Sequence, residues 1–192
     1  MKLLVLTHPR GGEQYGARFF QSLGYNIKPG QINDSGGIVS MLVQETPEFR
    51  FRDFDVVLHQ VRNPLDCLYN IGTLDYRTTH VMSTALNKFL PPDSIDRNER
   101  IRKGLMVWKP WNALCESAAH LTYRVEELRP GTDTLMAIAA LLGFDPEIAV
   151  DVPTQWDRQD VALTTDMDSL IRIDAGLAVQ TEEMATRYGY NL

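Results

Sequence analysis

The sequence predicts an α/β fold in three layers, a short parallel sheet covered on both faces by helices. Three features carry that expectation. Strand-length apolar runs at Lys2–Thr7, Phe54–Val61 and His120–Val125 are separated by segments of helical periodicity, the alternation that builds a parallel sheet. The run FDVVLHQV is β-branched and nearly continuous, as a central strand buried on both faces should be. The chain has 192 residues, 44% apolar and 23% charged, ordinary values for one soluble domain with a substantial core.

Each element follows from a local signal. After the first strand, Gly16, Phe19, Phe20 and Leu23 recur at helical spacing and Gly24 offers a C-terminal stop. Tyr25–Lys28 reads as a second short strand. PGQINDSGG, residues 29–37, is a loop by composition, and Ile38–Gln44 is expected to form one or two helical turns. Pro64 suits the first turn of a helix, because the N–H it lacks has no partner there. LDCLYNIGTL continues that helix. Longer helices are expected over Asp75–Phe89 and Asn98–Ala118, with the second interrupted at Pro110. Pro130-Gly131-Thr132 opens a helix carrying Leu135, Ile138, Ala139 and Leu142 on one face, ended by Gly143. Phe144–Thr165 reads as irregular, and a last helix covers Ala175–Arg187.

Composition excludes several classes of function. The net charge of −6 argues against a nucleic-acid surface. No apolar run reaches the ~20 residues of a membrane span. The first apolar run stops at His8-Pro9-Arg10 without a small-residue cleavage pattern, so it is expected to be a strand rather than a leader. Cys67 and Cys115 are far apart in helix-like stretches, which predicts two buried thiols in a reducing, cytoplasmic setting. No CxxC or HxxxH pairing suggests a metal site.

The most informative stretch is LTHPRGGEQYGARFF, residues 6–20, in which a strand enters a two-glycine turn and then a helix. Gly11 and Gly16 have the spacing of a nucleoside-triphosphate loop. Ala17 and Arg18, however, stand where the phosphate-binding lysine and the magnesium-binding hydroxyl are required. An ordinary Mg-ATP or Mg-GTP enzyme is thereby disfavoured. An anion can still be held by backbone N–H groups from Gly11 onward, at the positive end of the following helix. Arg10 would add a forked, permanently charged donor. The other reading is a tight turn whose glycines serve the turn alone.

Three segments resemble the sulfotransferase family, and they occur in the family's order. Pro9 to Tyr15, PRGGEQY, resembles the 5′-phosphosulfate loop. VVLHQVRNPLDCLYNI, Val56–Ile71, is similar to the strand, loop and helix that hold the 3′-phosphate of the donor nucleotide. TYRVEELRPGTDTLMAIAALLGF, Thr122–Phe144, is similar to the later segment whose tyrosine lies near the adenine. WKPWN and RYGY also look like features of small bacterial members. The resemblance implies a P-loop kinase-like fold and a metal-independent sulfuryl transfer. The donor would be 3′-phosphoadenosine 5′-phosphosulfate, the acceptor a hydroxyl or amine on a small molecule or carbohydrate. It places Arg10, Gly11, Gly12, Gln14 and Tyr15 on the 5′ side, Arg62 and Asn70 on the 3′-phosphate, and Tyr123 beside the adenine.

The chain departs from the family where Glu13 and Gln14 replace hydroxyl residues and Asn70 replaces a serine. The Arg102-Lys103-Gly104 triplet precedes the Tyr123 segment rather than following it, and reads as a solvated charge run. The catalytic base is sought among His8, His59 and Glu13. His59 lies inside a strand and can equally be a core histidine; His8 can equally be a turn residue. Trp108 and Trp111 either line an acceptor pocket or belong to the core. Two other functions are carried forward: a catalytically degenerate relative that only binds, and a nucleotide kinase.

Overall fold

The computed structural model describes residues 1–40, 50–73, 96–147 and 165–192. In chain order the first elements are β1 (Leu3–Thr7), α1 (Glu13–Ser22), β2 (Gln31–Asn33), β3 (Gly36–Val39), β4 (Val56–Val61) and α2 (Pro64–Gly72). They are followed by α3 (Arg97–Ala118), β5 (Leu121–Arg124), α4 (Asp133–Leu142) and α5 (Met167–Arg187). The chain divides into two compact units, Met1–Arg62 with Leu114–Trp156 and Asn63–Ala113 with Asp157–Leu192.

The first unit is an α/β sheet flanked by helices. Its five strands run in the order β2-β3-β1-β4-β5. β3, β1, β4 and β5 are parallel, while β2 is antiparallel to β3. The sheet is therefore mixed rather than purely parallel. Side chains alternate across it as the strand repeat of two requires. Leu3, Val5, Val56, Leu58 and Tyr123 form one face, against which Phe19 and Phe20 of α1 and Leu135 and Ile138 of α4 pack. The opposite-facing Leu4, Leu6, Val57 and Val61 are buried as well. This burial on both faces explains the nearly unbroken apolar reading of β1 and β4.

Two expectations for this unit are corrected. Residues expected to form a loop and helical turns instead form the β2–β3 hairpin, with Ser35 N–H closing onto the Asn33 carboxamide at 2.8 Å. A Cβ at Gly36 would lie 1.7 Å from the Leu3 carbonyl oxygen, so this edge of β1 accepts only a residue without a side chain. The glycines that read as loop are what permits the strand. Tyr25–Lys28 is not a strand; Lys28 makes a single bridge to Gln31.

The second unit contains α2, most of α3, and α5. Pro64 stands in the first turn of α2 as expected, and Asn63 caps the helix by accepting from Leu65 N–H at 3.0 Å. α2 and α3 touch backbone to backbone, since a Cβ on Gly104 would sit 2.1 Å from the Leu68 carbonyl oxygen. α3 continues through Pro110, where an interruption was expected. Trp108 and Trp111 on either side of it are completely buried, and their packing holds the helix where propensity would break it. α5 begins earlier than expected and has a non-helical residue at Asp174 (φ −160°, ψ 97°). The Asp174 carboxylate caps the second segment through Leu177 N–H and pairs with Arg102 at 3.3 Å. Arg102 is exposed, as a solvated charge should be, whereas Lys103 of the same triplet is buried, against expectation.

Cys67 and Cys115 are free, buried thiols, and burial raises the pKa of Cys115. Among the described residues no helix is long and apolar enough to cross a membrane. The helix expected over Asp75–Phe89, the residues after Ser40 in Ile38–Gln44, and the segment after Glu147 in Phe144–Thr165 lie wholly or mainly outside the described residues.

Candidate functional site

The carboxyl ends of β3, β1, β4 and β5 lie along one edge of the first unit, where loops leaving a parallel sheet collect polar groups. The loop after β1 is the most constrained of them. Arg10 has φ +64° and Gly12, the N-cap of α1, has φ +88°. For arginine that left-handed backbone costs roughly 1–2 kcal/mol, so surrounding bonds must hold it. Three do so: Gly11 N–H donates to the His8 carbonyl at 2.9 Å, the Gln60 amide donates to the Gly11 carbonyl at 2.8 Å, and Arg62 Nη1 donates to the Arg10 carbonyl at 3.2 Å. Gly12 offers no side chain to cap the N–H groups of the first turn of α1. With the helix dipole they form a concentrated positive end.

The structure brings most of the sequence-predicted residues into this unit, in different environments. Arg62 lies against the first loop through its bond to Arg10, so the two cationic loops adjoin at one edge. Arg10 is exposed, and Gly11, Gly12 and Gln14 form the turn and the first residues of α1. The Tyr15 hydroxyl donates to the Leu128 carbonyl at 3.2 Å and its ring packs against the core. Asn70 belongs to the other unit, on α2, where its carbonyl accepts from Thr73 Oγ1 at 2.7 Å.

Glu13 occupies the first helical position. Its pKa is raised, chiefly by burial, while hydrogen bonds from the Ser40 hydroxyl and backbone and the charge of Arg10 act against that rise. Ser40 follows β3 and is itself buried. The Glu13 carboxylate is therefore engaged by the end of β3, and its charge is partly offset by Arg10.

The two histidines and Tyr123 are enclosed. His8 is fully buried and its Nδ1 donates to the Pro9 carbonyl at 2.9 Å. Its pKa falls to about 3, mainly through burial, with His59 and Arg62 nearby adding to the shift. An imidazole so weakly basic takes no proton from a hydroxyl near neutral pH. His59 is also fully buried, with Nδ1 3.2 Å from Thr122 Oγ1. Tyr123 is a core residue: its hydroxyl donates to Gln60 Oε1 at 2.8 Å and its ring meets Phe20 edge-on at 6.4 Å. At the end of β5, Arg124 pairs with Glu127.

Sequence reasoning missed Gln60 and Ser40. Gln60 carried a readable signal, a fully polar amide inside the apolar strand VVLHQV, where a buried polar group needs a definite partner. Ser40 carried none, because its role depends on β3 lying beside β1. Among the described residues no three His, Cys, Asp or Glu side chains come together as a metal site. No protein-family model, curated protein or solved structure significantly matches the chain.

Proposed function

We propose that the protein binds 3′-phosphoadenosine 5′-phosphosulfate without a metal and transfers its sulfuryl group to a hydroxyl or amine of a small-molecule or carbohydrate acceptor. The single observation that carries this reading is the bond from Arg62 to the Arg10 carbonyl. It joins the two loops that the sulfotransferase resemblance assigns to opposite ends of one nucleotide. The uncapped first turn of α1 supports the 5′ side, with Arg10 beside it and Arg62 toward the 3′-phosphate. A P-loop kinase-like sheet belongs to the same proposal.

In the transfer the acceptor oxygen or nitrogen attacks sulfur and the bond between sulfur and the bridging phosphate oxygen breaks. The 3′,5′-bisphosphate leaves and the acceptor loses its proton. Loop N–H groups and arginines would stabilise the charge growing on the leaving phosphate. Of the three candidate bases, Glu13 fits best, because burial raises its basicity whereas it removes that of His8. A second reading, binding without transfer, is favoured by the enclosure of both histidines and by the hold of Ser40 on Glu13.

Calorimetry with 3′-phosphoadenosine 5′-phosphate in the presence of a chelator tests the reading. Wild type should bind, and Arg62→Ala should bind at least tenfold more weakly, as expected for the loss of a charge-assisted bond of about 1.5–3 kcal/mol. Binding with no transfer across an acceptor panel would establish the second reading. Binding of ATP that requires magnesium, with none of the bisphosphate, would overturn both in favour of a kinase.

A further inference from the structure

Gln60 sits in the middle strand of a three-strand row, beside Thr7 on β1 and Tyr123 on β5 in register. It is fully buried on the face that carries α1, a place where a leucine or methionine would pack without leaving polar atoms to satisfy. Both ends of its amide are used. Nε2 donates to the Gly11 carbonyl at 2.8 Å, and Oε1 accepts from the Tyr123 hydroxyl at 2.8 Å. The carbonyl of Gly11 can only accept, so the amide has one allowed orientation, and Tyr123 must then be the donor at its other end. Gly16 leaves room for the arrangement: a Cβ there would be 2.3 Å from Oε1.

We propose that Gln60, aimed by the Tyr123 hydroxyl, is the positioning residue of the loop, holding the Gly11 carbonyl so that the first turn of α1 is presented toward an anion. The proposal rests on the loop being the anion site. It extends that reading by making β5, through one buried amide, part of what sets the loop's affinity. The hydrogen bonds run in one direction, from Tyr123 to Gln60 to Gly11. Removing any donor leaves a buried acceptor facing another acceptor or nothing.

Gln60→Glu is the decisive variant because it keeps the shape and exchanges the donor for an oxygen. Ionised, the carboxylate faces the Gly11 carbonyl and repels it. Protonated, its O–H can donate to Gly11 while the other oxygen accepts from Tyr123. The titratable or charged groups on the surrounding elements are His8 and Arg10 in the loop, Glu13, Tyr15 and Arg18 on α1, His59 on β4 and Arg62 after it, and Tyr123 and Arg124 on β5. Reading every value as a ratio to wild type at the same pH removes their own titrations.

Two measurements are made from pH 5 to 8. One is hydrogen exchange at the amides of Gly11 and Gly16, which donate to the His8 and Gly12 carbonyls. The other is affinity for 3′-phosphoadenosine 5′-phosphate. Gln60→Glu should lose at least tenfold protection and affinity at pH 8 and recover toward acid pH. Gln60→Met should lose both at every pH, and Tyr123→Phe, which deletes one oxygen, should lose about threefold or more. Protection within twofold of wild type in Gln60→Glu and Tyr123→Phe would overturn the proposal. So would a loss shared equally by α4, which reports general destabilisation. If the exchange pattern holds but wild type binds no nucleotide, the function proposed above fails while the loop-positioning role of Gln60 is upheld.

Discussion

Replacing glycine by alanine inside a helix ordinarily stabilises it by about 1 kcal/mol, so Gly16 and Gly176 offer a test in which the same change should have opposite signs. At Gly16 the new Cβ would lie 2.3 Å from Gln60 Oε1 and 2.8 Å from Ile38 Cδ1. Both neighbours are fully buried, so neither can yield by moving out into solvent. Overpacking of this kind costs roughly 1–3 kcal/mol. Pushing the Gln60 amide off its partners adds about 1–3 kcal/mol for the acceptor left without a donor. Subtracting the helix gain leaves a net loss of about 1–5 kcal/mol. At Gly176, in α5, the nearest atom to a Cβ is Asp174 Oδ1 at 3.6 Å, an ordinary contact, and the helix gain should survive at about 0.5–1 kcal/mol. Urea unfolding followed by far-ultraviolet circular dichroism measures both. A Gly16→Ala protein as stable as wild type would refute the packing argument, and with it the tight fit of α1 on Gln60.

The remaining expectations concern charge and capping. Because the pKa of His8 is lowered from 6.5 to about 3, the unfolded chain takes up a proton that the folded one refuses. Its contribution to stability is complete above pH 6.5 and is lost as pH falls from there toward 3, by up to about 1.4 kcal/mol per pH unit. Denaturation curves of His8→Asn should lack that component. Glu13 titrates in the opposite sense. Its raised pKa means that stability is lost as pH rises from about 4.5, so Glu13→Gln should gain on wild type between pH 5 and 7 when the two are unfolded in parallel. Thr132 Oγ1 accepts from Leu135 N–H at 3.2 Å at the start of α4, and Thr132→Ala should cost about 1 kcal/mol in the same assay.

The parts of this fold legible in the sequence are those whose signal is local. β4 was readable from its β-branched run, α2 from Pro64 at its start, and α4 from Thr132 and Gly143 at its ends. β3 was not, because GGIV is a strand only by virtue of the space beside Leu3. Pro110 misled for a related reason: two buried tryptophans outweigh the local helix-breaking tendency. In the candidate site, the glycine turn and the two arginines stood out as residue types. Their joining by a guanidinium-to-carbonyl bond depends on strand order and could not be read from spacing. The roles offered to His8, His59 and Tyr123 followed from their chemistry, while burial, a property of the whole fold, decides what each can do. Glu13 shows the converse, since a carboxylate that conflicts with an anion in the linear sequence is engaged by Ser40 once β3 lies beside β1.

On the proposed function, the turn after β1 grips the charged end of a nucleotide with no metal ion between them. Amide chemical shifts of Gly11, Gly12, Glu13 and Gln14, followed while 3′-phosphoadenosine 5′-phosphate is added with a chelator present, test it most directly. These four signals should move together and saturate with one ligand per chain, while amides of α5 stay in place. Four unmoved signals at millimolar nucleotide would contradict it.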